Sequence, residues 1–376
     1  MAGPASGVTP LAVALDATPL LGPRTGIGEV VAGILSPLAA RPDLRIRAYA
    51  LTLRGRRALA AALPPGVEPA TRAVPARWVR RRWHRADRPR IERWTGRVDV
   101  VHATNYVAPP ADAPVLVSVY DLTVVRFPEL CAPDTLEYPA LLRRALARGA
   151  TLHAPSTAIA EELVDALGAP SDRVVTVPLG LPEVGGGAPR RGHRLAGAER
   201  YVLALGTIEP RKNLPALVAA FDAIADAHPE VHLVHAGGDG WDEGAFDLAV
   251  TRSPHRARIR RLGYVDPATR ADLLAGATVF AYPSRYEGFG FPPLEAMAVG
   301  VPVVATAVGS LPEVLGDAAH LVPDDDVAVL AGALEVLLTD EAGRAARIEA
   351  GHARAARYSW ASTADALAAV YRELAR

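Results

Sequence analysis

Lysine, glutamine, asparagine and cysteine are almost absent from this chain of 376 residues. The single cysteine, Cys131, excludes a disulfide scaffold and a thiolate-based metal cluster. Lys212 is the only lysine among 41 basic residues, Asn105 and Asn213 are the only asparagines, and glutamine does not occur. Every other residue among these 41 is arginine. The lysine at position 212 therefore either has no functional significance or is required there because the position needs a compact ammonium. The second interpretation is favoured because Lys212 and Asn213, two rare residues, lie side by side in the segment with the strongest functional signal.

Net charge and long apolar runs are also lacking. The 41 basic residues balance 41 acidic ones, which argues against a chain-wide nucleic-acid binder. Residues 11–15 form a short apolar stretch without a basic region before it, so no signal peptide is predicted. The longest weakly polar run, residues 296–311, is interrupted by glycine and proline and predicts no membrane span. We therefore expect a cytoplasmic protein.

Short runs of β-branched residues alternate with amphipathic stretches along most of the chain. The runs are mostly apolar throughout, which is typical of parallel strands buried on both faces. Residues 182–199 interrupt the alternation and are rich in glycine, proline and arginine, as in a linker. The sequence thus predicts an α/β fold with two doubly wound Rossmann-like domains, residues 1–183 and 184–359. Such domains would face each other across a ligand-binding cleft at the strand carboxyl ends.

The segment LGTIEPRKN, residues 205–213, carries the strongest functional signal. A buried strand ends near Gly206 and Thr207, and a helix follows Asn213, a residue type that favours the N-cap. Arg211 and Lys212 therefore lie just before a helix N-terminus, where two cations and free N–H groups suit a diphosphate. The alternative is a solvated basic loop.

A second segment, residues 283–300, reads as a strand end, a glycine-rich loop and a helix that begins near Pro293. Glu287 opens the loop and Glu295 lies in the expected first turn of the helix, and carboxylates accept hydrogen bonds from sugar and ribose hydroxyls. The eight-residue spacing recurs elsewhere in the chain, so only the surrounding strand, loop and helix make the pair specific. The alternative is one loop carboxylate and one that opposes the helix dipole.

The segments GTIEPRKN and SRYEGFGFPPLEAMAVGVPVVAT resemble the donor-site motifs of family 4 retaining, nucleotide-sugar-dependent glycosyltransferases, the group 1 type with the GT-B fold. The resemblance extends to AVGSLPEVLGDAAHLVPDDD, TGIGEVV, VDVVHATNYVAPP and SVYDLTVVRFPE, and so covers most of the chain. It implies an N-terminal acceptor domain and a C-terminal donor domain. It also implies a last helix, about residues 360–376, that packs back on the first domain. No cofactor or obligatory metal is implied.

The resemblance also assigns roles to individual residues. Arg211 and Lys212 would hold the donor diphosphate, and Glu295 would hold the ribose. Glu287 would hold the transferred sugar and complete the catalytic set with the two cations. The remaining expected donor-binding residues are Gly206, Thr207, Gly288, Phe289, Gly290 and Phe291.

In the first half, the resemblance implies a glycine loop near the donor phosphates and the acceptor, at Gly26 and Gly28 within residues 25–29. His102 ends a predicted strand and either faces the ligand or is a hydrogen-bonded core histidine. Relatives usually carry His-Asp where this chain has Tyr120 and Asp121. Tyr120 could donate a hydrogen bond to a sugar hydroxyl but, unlike histidine, would not carry a positive charge near neutral pH. Asp121 either orients Tyr120 or caps a turn.

Residues 76–94 combine eight arginines with three tryptophans. This interleaving suits an anionic membrane surface or a lipid-phosphate acceptor, and the alternative is a solvated helix face with its tryptophans packed inward. A peripheral contact at the inner membrane face is therefore a further expectation.

Together these features predict a retaining transfer of a hexose, mannose being the first choice, from a nucleotide-diphosphate sugar. The acceptor would be a hydroxyl of a glycan, a lipid-linked molecule or a small molecule, and no nucleic acid is expected as a partner. A nucleotide-sugar epimerase or hydrolase on the same scaffold is one alternative. A non-catalytic nucleotide-sugar-binding or membrane-associated protein is another. An NAD-dependent oxidoreductase is disfavoured because the first glycine loop is not GxGxxG.

Overall fold

The computed structural model describes residues 9–22, 26–70 and 75–376, and these form two compact units. The first consists of Met1–Gly180 with Ser359–Arg376, and the second is Leu181–Tyr358. The division lies three residues before the expected boundary at residue 183.

The first unit is built on a parallel sheet with the strand order β3-β2-β1-β4-β5-β6-β7. Strands β4 to β6 lie inside this sheet and are almost wholly buried, which explains their continuous apolar sequences. The strands β1 to β7 are Leu11–Asp16, Leu44–Tyr49, Glu68–Pro69, Val100–Ala103, Val115–Ser118, Thr151–Ala154 and Val174–Thr176. The helices α1 to α7 are Gly26–Ala39, Arg56–Ala62, Ala76–Trp83, Glu92–Thr95, Thr123–Arg126, Tyr138–Ala147 and Thr157–Asp165.

The second unit repeats this plan with the parallel strand order β10-β9-β8-β11-β12-β13. Its core joins the inner faces of the sheet to the apolar stripes of its helices, with Phe221, Phe246 and Leu334 among the buried side chains. The strands β8 to β13 are Arg200–Leu205, Val231–Ala236, Ile259–Arg261, Val279–Tyr282, Val303–Thr306 and Ala319–Val322. The helices α8 to α15 are Pro189–Ala196, Leu214–Ala225, Glu243–Arg252, Pro267–Gly276, Phe291–Ala298, Leu311–Leu315, Val327–Thr339 and Glu341–Ala355.

The last helix, α16 (Trp360–Leu374), packs on α1 of the first unit. The Ser359 side chain caps it by accepting a hydrogen bond from the Ser362 amide at 3.1 Å. Gly33 makes room for the Trp360 ring, because a Cβ there would lie 2.2 Å from a ring carbon. Further along α16, the Tyr371 hydroxyl reaches His102 in the sheet at 2.6 Å. The helix is thus fixed both by packing and by a buried polar contact.

None of the helices in the part of the chain that the structure describes combines the length and the apolar character that crossing a membrane requires.

Candidate active site

The loop between β8 and α9 carries two residues of the candidate site in the second unit, Arg211 and Lys212. Gly206 follows β8, and its carbonyl oxygen lies 2.8 Å from His235 Nε2. A Cβ at Gly237 would lie 1.8 Å from the same oxygen, so this close approach of two loops requires glycine. The chain then turns through Pro210–Lys212 and enters α9 at Leu214. This places Arg211 and Lys212 at the carboxyl edge of the sheet.

Asn213 occupies the N-cap position of α9, but it does not cap the helix with its side chain. Its backbone is left-handed, with φ of 51°, and its side-chain Nδ2 donates to Asp325 Oδ1 at 3.4 Å. The predicted N-cap position is therefore confirmed, although the side chain is directed to another loop and does not cap the helix. Asn213 closes the turn that carries the two cations instead, since asparagine adopts the left-handed conformation more readily than most residues.

Arg211, Lys212 and Glu287 converge on one point of the second unit. Lys212 Nζ lies 2.7 Å from Glu287 Oε1, and Arg211 Nη1 lies 2.8 Å from the same oxygen. Arg211 also donates to the Tyr286 carbonyl at 2.9 Å and pairs with Glu209 at 3.3 Å. The three predicted catalytic residues thus form one cluster, although they come from two segments 75 residues apart.

The three groups of this cluster shift each other's protonation equilibria. Burial by itself raises the pKa of Glu287, but Arg211 and Lys212 outweigh it and lower that pKa to about 2. Burial lowers the pKa of Lys212, and Glu287 partly offsets the effect. The ammonium will therefore lose its proton at a lower pH than an exposed lysine does. Two cations and one carboxylate at one point form a site suited to a multiply charged anion.

The glycine-rich loop after β11 is hydrogen-bonded to the loop that follows β12. The Glu287 carbonyl accepts hydrogen bonds from the Ser310 amide and hydroxyl, each at 3.0 Å. Phe289 is buried, and its ring lies 5.5 Å from that of Tyr358 and 5.3 Å from that of Phe291. The expected sugar contacts of residues 288–291 therefore concern the backbone, since the Phe289 ring belongs to the core.

Helix α12 begins at Phe291, two residues before the expected start, so Glu295 lies in its second turn and not in the first. The carboxylate is almost fully buried and forms an ion pair with Arg270 of α11. Asp266 caps α11 by accepting hydrogen bonds from the Ala268 and Thr269 amides. Sequence reasoning missed Arg270 because its partner lies 25 residues further along the chain and no local pattern joins them.

The predicted site residues of the first unit lie in a helix, in a turn and in the core. Helix α1 begins at Gly26, so Gly26 and Gly28 lie in its first turn rather than in a loop before it. Thr25, which precedes them in the predicted motif, lies outside the described residues. The Asp121 side chain accepts a hydrogen bond from the Thr123 amide at 3.0 Å and so caps the turn into α5. Of the two roles considered for Asp121, the structure assigns the turn.

His102 is a hydrogen-bonded core residue, which is the second of the two interpretations that the sequence left open. The side chain is 1% exposed and both ring nitrogens have partners: Nδ1 is 2.6 Å from the Tyr371 hydroxyl and Nε2 is 2.8 Å from Ser118 Oγ. Ser118 continues to His153 Nδ1 at 2.8 Å, and His153 Nε2 reaches the Val177 carbonyl at 2.8 Å. We call these four residues, Tyr371, His102, Ser118 and His153, the buried histidine chain.

Tyr120 lies next to the buried histidine chain. Its hydroxyl oxygen is inaccessible to solvent and lies beside Ser118, and burial raises the pKa of the phenol well above its usual range. The expected donation from Tyr120 to a sugar hydroxyl stays a prediction.

The buried histidine chain should make the stability of the protein fall in mild acid. Burial lowers the pKa of His102 to about 3 and that of His153 to about 4, from 6.5. Between pH 6.5 and pH 4 the unfolded chain takes up protons that the folded chain does not, so the free energy of unfolding decreases as pH falls. Each histidine should contribute about 1.4 kcal/mol per pH unit. Urea denaturation across this range measures the slope.

The comparison variant is His352→Gln, which removes a histidine exposed on α15 and leaves the buried histidine chain intact. Nuclear magnetic resonance of the imidazole carbons gives an independent result. If all ten histidines of the folded protein titrated near pH 6.5, the assignment of His102 and His153 as neutral core groups would be refuted.

Comparison with known families supports the interpretation of both units. Residues 26–183 match the profile described as Glycosyltransferase Family 4, and residues 188–354 match that described as Glycosyl transferases group 1. The O-antigen chain mannosyltransferase B of Escherichia coli is 32% identical over 272 residues, covering 69% of this chain and 71% of that protein. A phosphatidyl-myo-inositol mannosyltransferase of Mycolicibacterium smegmatis is 36% identical over 192 residues, covering 49% and 46% of the two chains.

Solved structures show the same fold. Sucrose-phosphate synthase from Thermosynechococcus elongatus aligns over 97% of this chain and 99% of its own, with a TM-score of 0.74 and 20% identity. Anabaena HepE in complex with UDP-glucose aligns over 96% and 100%, with a TM-score of 0.74 and 17% identity. With two Rossmann-like units and both family profiles matched along its length, the chain belongs to the group 1, family 4 glycosyltransferases of the GT-B fold.

Proposed function

We propose that this protein is a retaining glycosyltransferase that moves a hexose, mannose in the first instance, from a nucleotide-diphosphate sugar to an acceptor hydroxyl. The second unit binds the donor and the first unit binds the acceptor. The observation that carries the proposal is the convergence of Arg211 and Lys212, the only lysine of the chain, at the carboxyl edge of the sheet. The family of the chain and the mannosyltransferases among its relatives support it.

The two cations act on the leaving group. As the bond between the sugar C1 and the phosphate oxygen breaks, negative charge accumulates on the diphosphate. Arg211 and Lys212 are already held in place by Glu287 and the Tyr286 carbonyl, so they stabilise that charge without reorganisation. The proposal needs no cofactor and no obligatory metal. In it, Glu295 holds the ribose, and Glu287 with the backbone of residues 288–291 holds the sugar.

Retention follows in the proposal from substitution on the front face of the sugar. The acceptor oxygen bonds to C1 on the side from which the phosphate departs, and the leaving phosphate oxygen takes the acceptor proton. This route requires no enzymic nucleophile, which agrees with the sequence, where we identified none. Bonds and protons balance, since one C–O bond forms, one breaks, and one proton moves.

Product stereochemistry tests the reaction class. The purified protein is incubated with an α-linked nucleotide hexose and a panel of mannoside acceptors, and the anomeric signal of the product is recorded by nuclear magnetic resonance. An α-linked product is expected. A β-linked product would contradict retention, and release of free hexose with no glycoside formed would favour the hydrolase alternative.

We also propose a peripheral membrane contact through residues 76–94, which would suit a lipid-linked acceptor. Trp83 is buried with Val79 in the core of the first unit, whereas Trp78 is 58% exposed with the Arg82 guanidinium 5.9 Å from its ring centroid. The exposed face borders a cavity of about 900 Å³, also lined by Arg88 and other arginines. One exposed tryptophan among exposed arginines suits an anionic lipid surface.

Vesicle binding tests this contact. Arg82→Ala should weaken sedimentation with phosphatidylglycerol vesicles about fivefold, since a basic side chain near an anionic surface contributes about 1 kcal/mol. Trp78→Ala should weaken it too, while Trp241→Ala, which removes a tryptophan of similar exposure from the second unit, should not. Equal binding to phosphatidylcholine and phosphatidylglycerol would contradict an electrostatic contact.

A further inference from the structure

Tyr282, the last residue of β11, has its hydroxyl at the centre of the cation cluster, although no sequence motif singled it out. The Lys212 ammonium donates to the Tyr282 hydroxyl at 2.7 Å and lies 4.7 Å from the centroid of its ring. The same ammonium donates to Glu287 Oε1 at 2.7 Å. We propose that Tyr282 is a positioning residue that holds Lys212 and Glu287 in the geometry required to bind the donor diphosphate. This inference rests on the proposed function.

The number of hydrogen-bond donors on Lys212 supports the assignment. A lysine ammonium has three N–H donors. Two of them are directed to Tyr282 and Glu287, which fixes the rotation of the group about its carbon–nitrogen bond. The third is then aimed in one direction and can serve a phosphate oxygen. Without the Tyr282 hydroxyl, the ammonium could rotate and share its donors differently.

The phenol is also linked to the carboxylate. Burial raises the pKa of Tyr282 well above its usual range, and the neighbouring Glu287 charge and its hydrogen bond raise it further. The hydroxyl therefore keeps its proton, and it can accept from Lys212 while donating to Glu287. It thereby joins the two charged groups that the proposed reaction places on opposite parts of the donor, the diphosphate and the sugar.

Tyr282 is rigid because it belongs to the sheet. Its side chain is 2% exposed, its Cα pairs with that of Ala305 on β12, and its ring stacks on Phe280 with centroids 6.1 Å apart. A side chain fixed by the sheet is a better support for Lys212 than one in a loop. The cluster therefore depends on strand register as well as on the two loops.

The Tyr282→Phe variant isolates the hydroxyl, since it keeps the ring and its cation–π contact. The matched control is Tyr201→Phe, because Tyr201 is another buried tyrosine of the second unit, whose hydroxyl donates to the Leu273 carbonyl at 2.5 Å. A general effect of losing a buried hydroxyl should appear in both variants. An effect on Lys212 should appear only in the first.

The chain allows Lys212 to be observed directly. Because it has one lysine, growth with ¹³C,¹⁵N-lysine labels one side chain, and its Cε signal against pH gives the pKa of Lys212. We expect that pKa about one unit lower in Tyr282→Phe than in wild type and unchanged in Tyr201→Phe, since a lost hydrogen bond to a charged group disfavours the charged form. We also expect about tenfold weaker binding of nucleoside diphosphate in Tyr282→Phe.

The outcomes separate this inference from the proposed function. The same Lys212 pKa in wild type and Tyr282→Phe, with both folded, would overturn the positioning role. If Tyr282→Phe does not fold, 3-fluorotyrosine incorporated in place of tyrosine acidifies the phenol, and an unchanged Lys212 pKa in that protein would overturn the role equally. If the pKa shifts as expected but no nucleoside diphosphate binds even to wild type, the contact of Tyr282 with Lys212 stands and the proposed function fails.

Discussion

Replacing Lys212 with alanine is expected to lower the rate of nucleoside diphosphate release from the nucleotide sugar, in the presence of acceptor, by about 10²- to 10³-fold. The reason is the loss of a preorganised cation at the leaving group, which typically raises a barrier by about 3–4 kcal/mol. The ammonium is held by Glu287 and Tyr282 before any ligand arrives, so its stabilisation is greatest in the transition state. Steady-state kinetics at saturating donor measure the effect.

Two further variants sharpen this prediction. Lys212→Arg keeps the charge but replaces a compact ammonium with a planar fork in a confined position, and it should recover only part of the rate. Arg252→Ala removes an exposed arginine from the last turn of α10, at the opposite edge of the sheet, and should leave the rate unchanged. A wild-type rate in Lys212→Ala would show that the only lysine has no part in the reaction.

Replacing Glu287 with glutamine is expected to affect stability and anion binding in opposite directions. The change removes the carboxylate that contacts both Arg211 and Lys212, so the repulsion between the two neighbouring cations is less compensated. The free energy of unfolding should fall by about 2–3 kcal/mol. At a pH where Lys212 keeps its proton, the same imbalance should make the site bind nucleoside diphosphate at least as tightly as wild type. Sugar transfer should fall by 10²-fold or more, since Glu287 is also the proposed sugar ligand.

Denaturation with and without nucleoside diphosphate, together with calorimetric titration, measures both effects in one protein. Glu209→Gln is the matched control, because Glu209 forms its ion pair with Arg211, at 3.3 Å, without contacting Lys212 as Glu287 does, and its loss should change each quantity less. A Glu287→Gln variant that bound nucleoside diphosphate much more weakly than wild type would contradict the role of Arg211 and Lys212 as the anion site.

The arrangement of the fold could be predicted from the sequence because its strongest signals are local. Strands such as Val100–Ala103 and Val303–Thr306 are apolar throughout since both faces are buried, and the glycine-rich loops mark where such strands end. Lys212 was singled out by composition, since a lone lysine in an arginine-rich chain is conspicuous. Its position in a loop between a strand and a helix then indicated an anion site, although the sequence did not show which side chains surround it in space.

The partners of the site residues could not be predicted in the same way. Tyr282 and Lys212 are 70 residues apart and meet through strand register, and Arg270 meets Glu295 through the packing of two helices. His102 had the residue type of a ligand at the end of a strand. It is buried, however, and its Nδ1 lies 2.6 Å from the hydroxyl of Tyr371 in α16, 269 residues further along the chain. Sequence patterns identify which residues can do chemistry, and tertiary contacts decide which of them do.

The central claim is that Arg211 and Lys212 hold the diphosphate of a nucleotide sugar, and thermal unfolding with a panel of nucleoside diphosphates and nucleotide hexoses tests it most directly. A ligand at about 100 times its Kd stabilises the folded protein by about 2.7 kcal/mol. We predict a clear stabilisation with one nucleobase, strongly reduced in Arg211→Ala and Lys212→Ala. The absence of stabilisation by any nucleotide at millimolar concentration, in a folded protein, would contradict the proposed donor site.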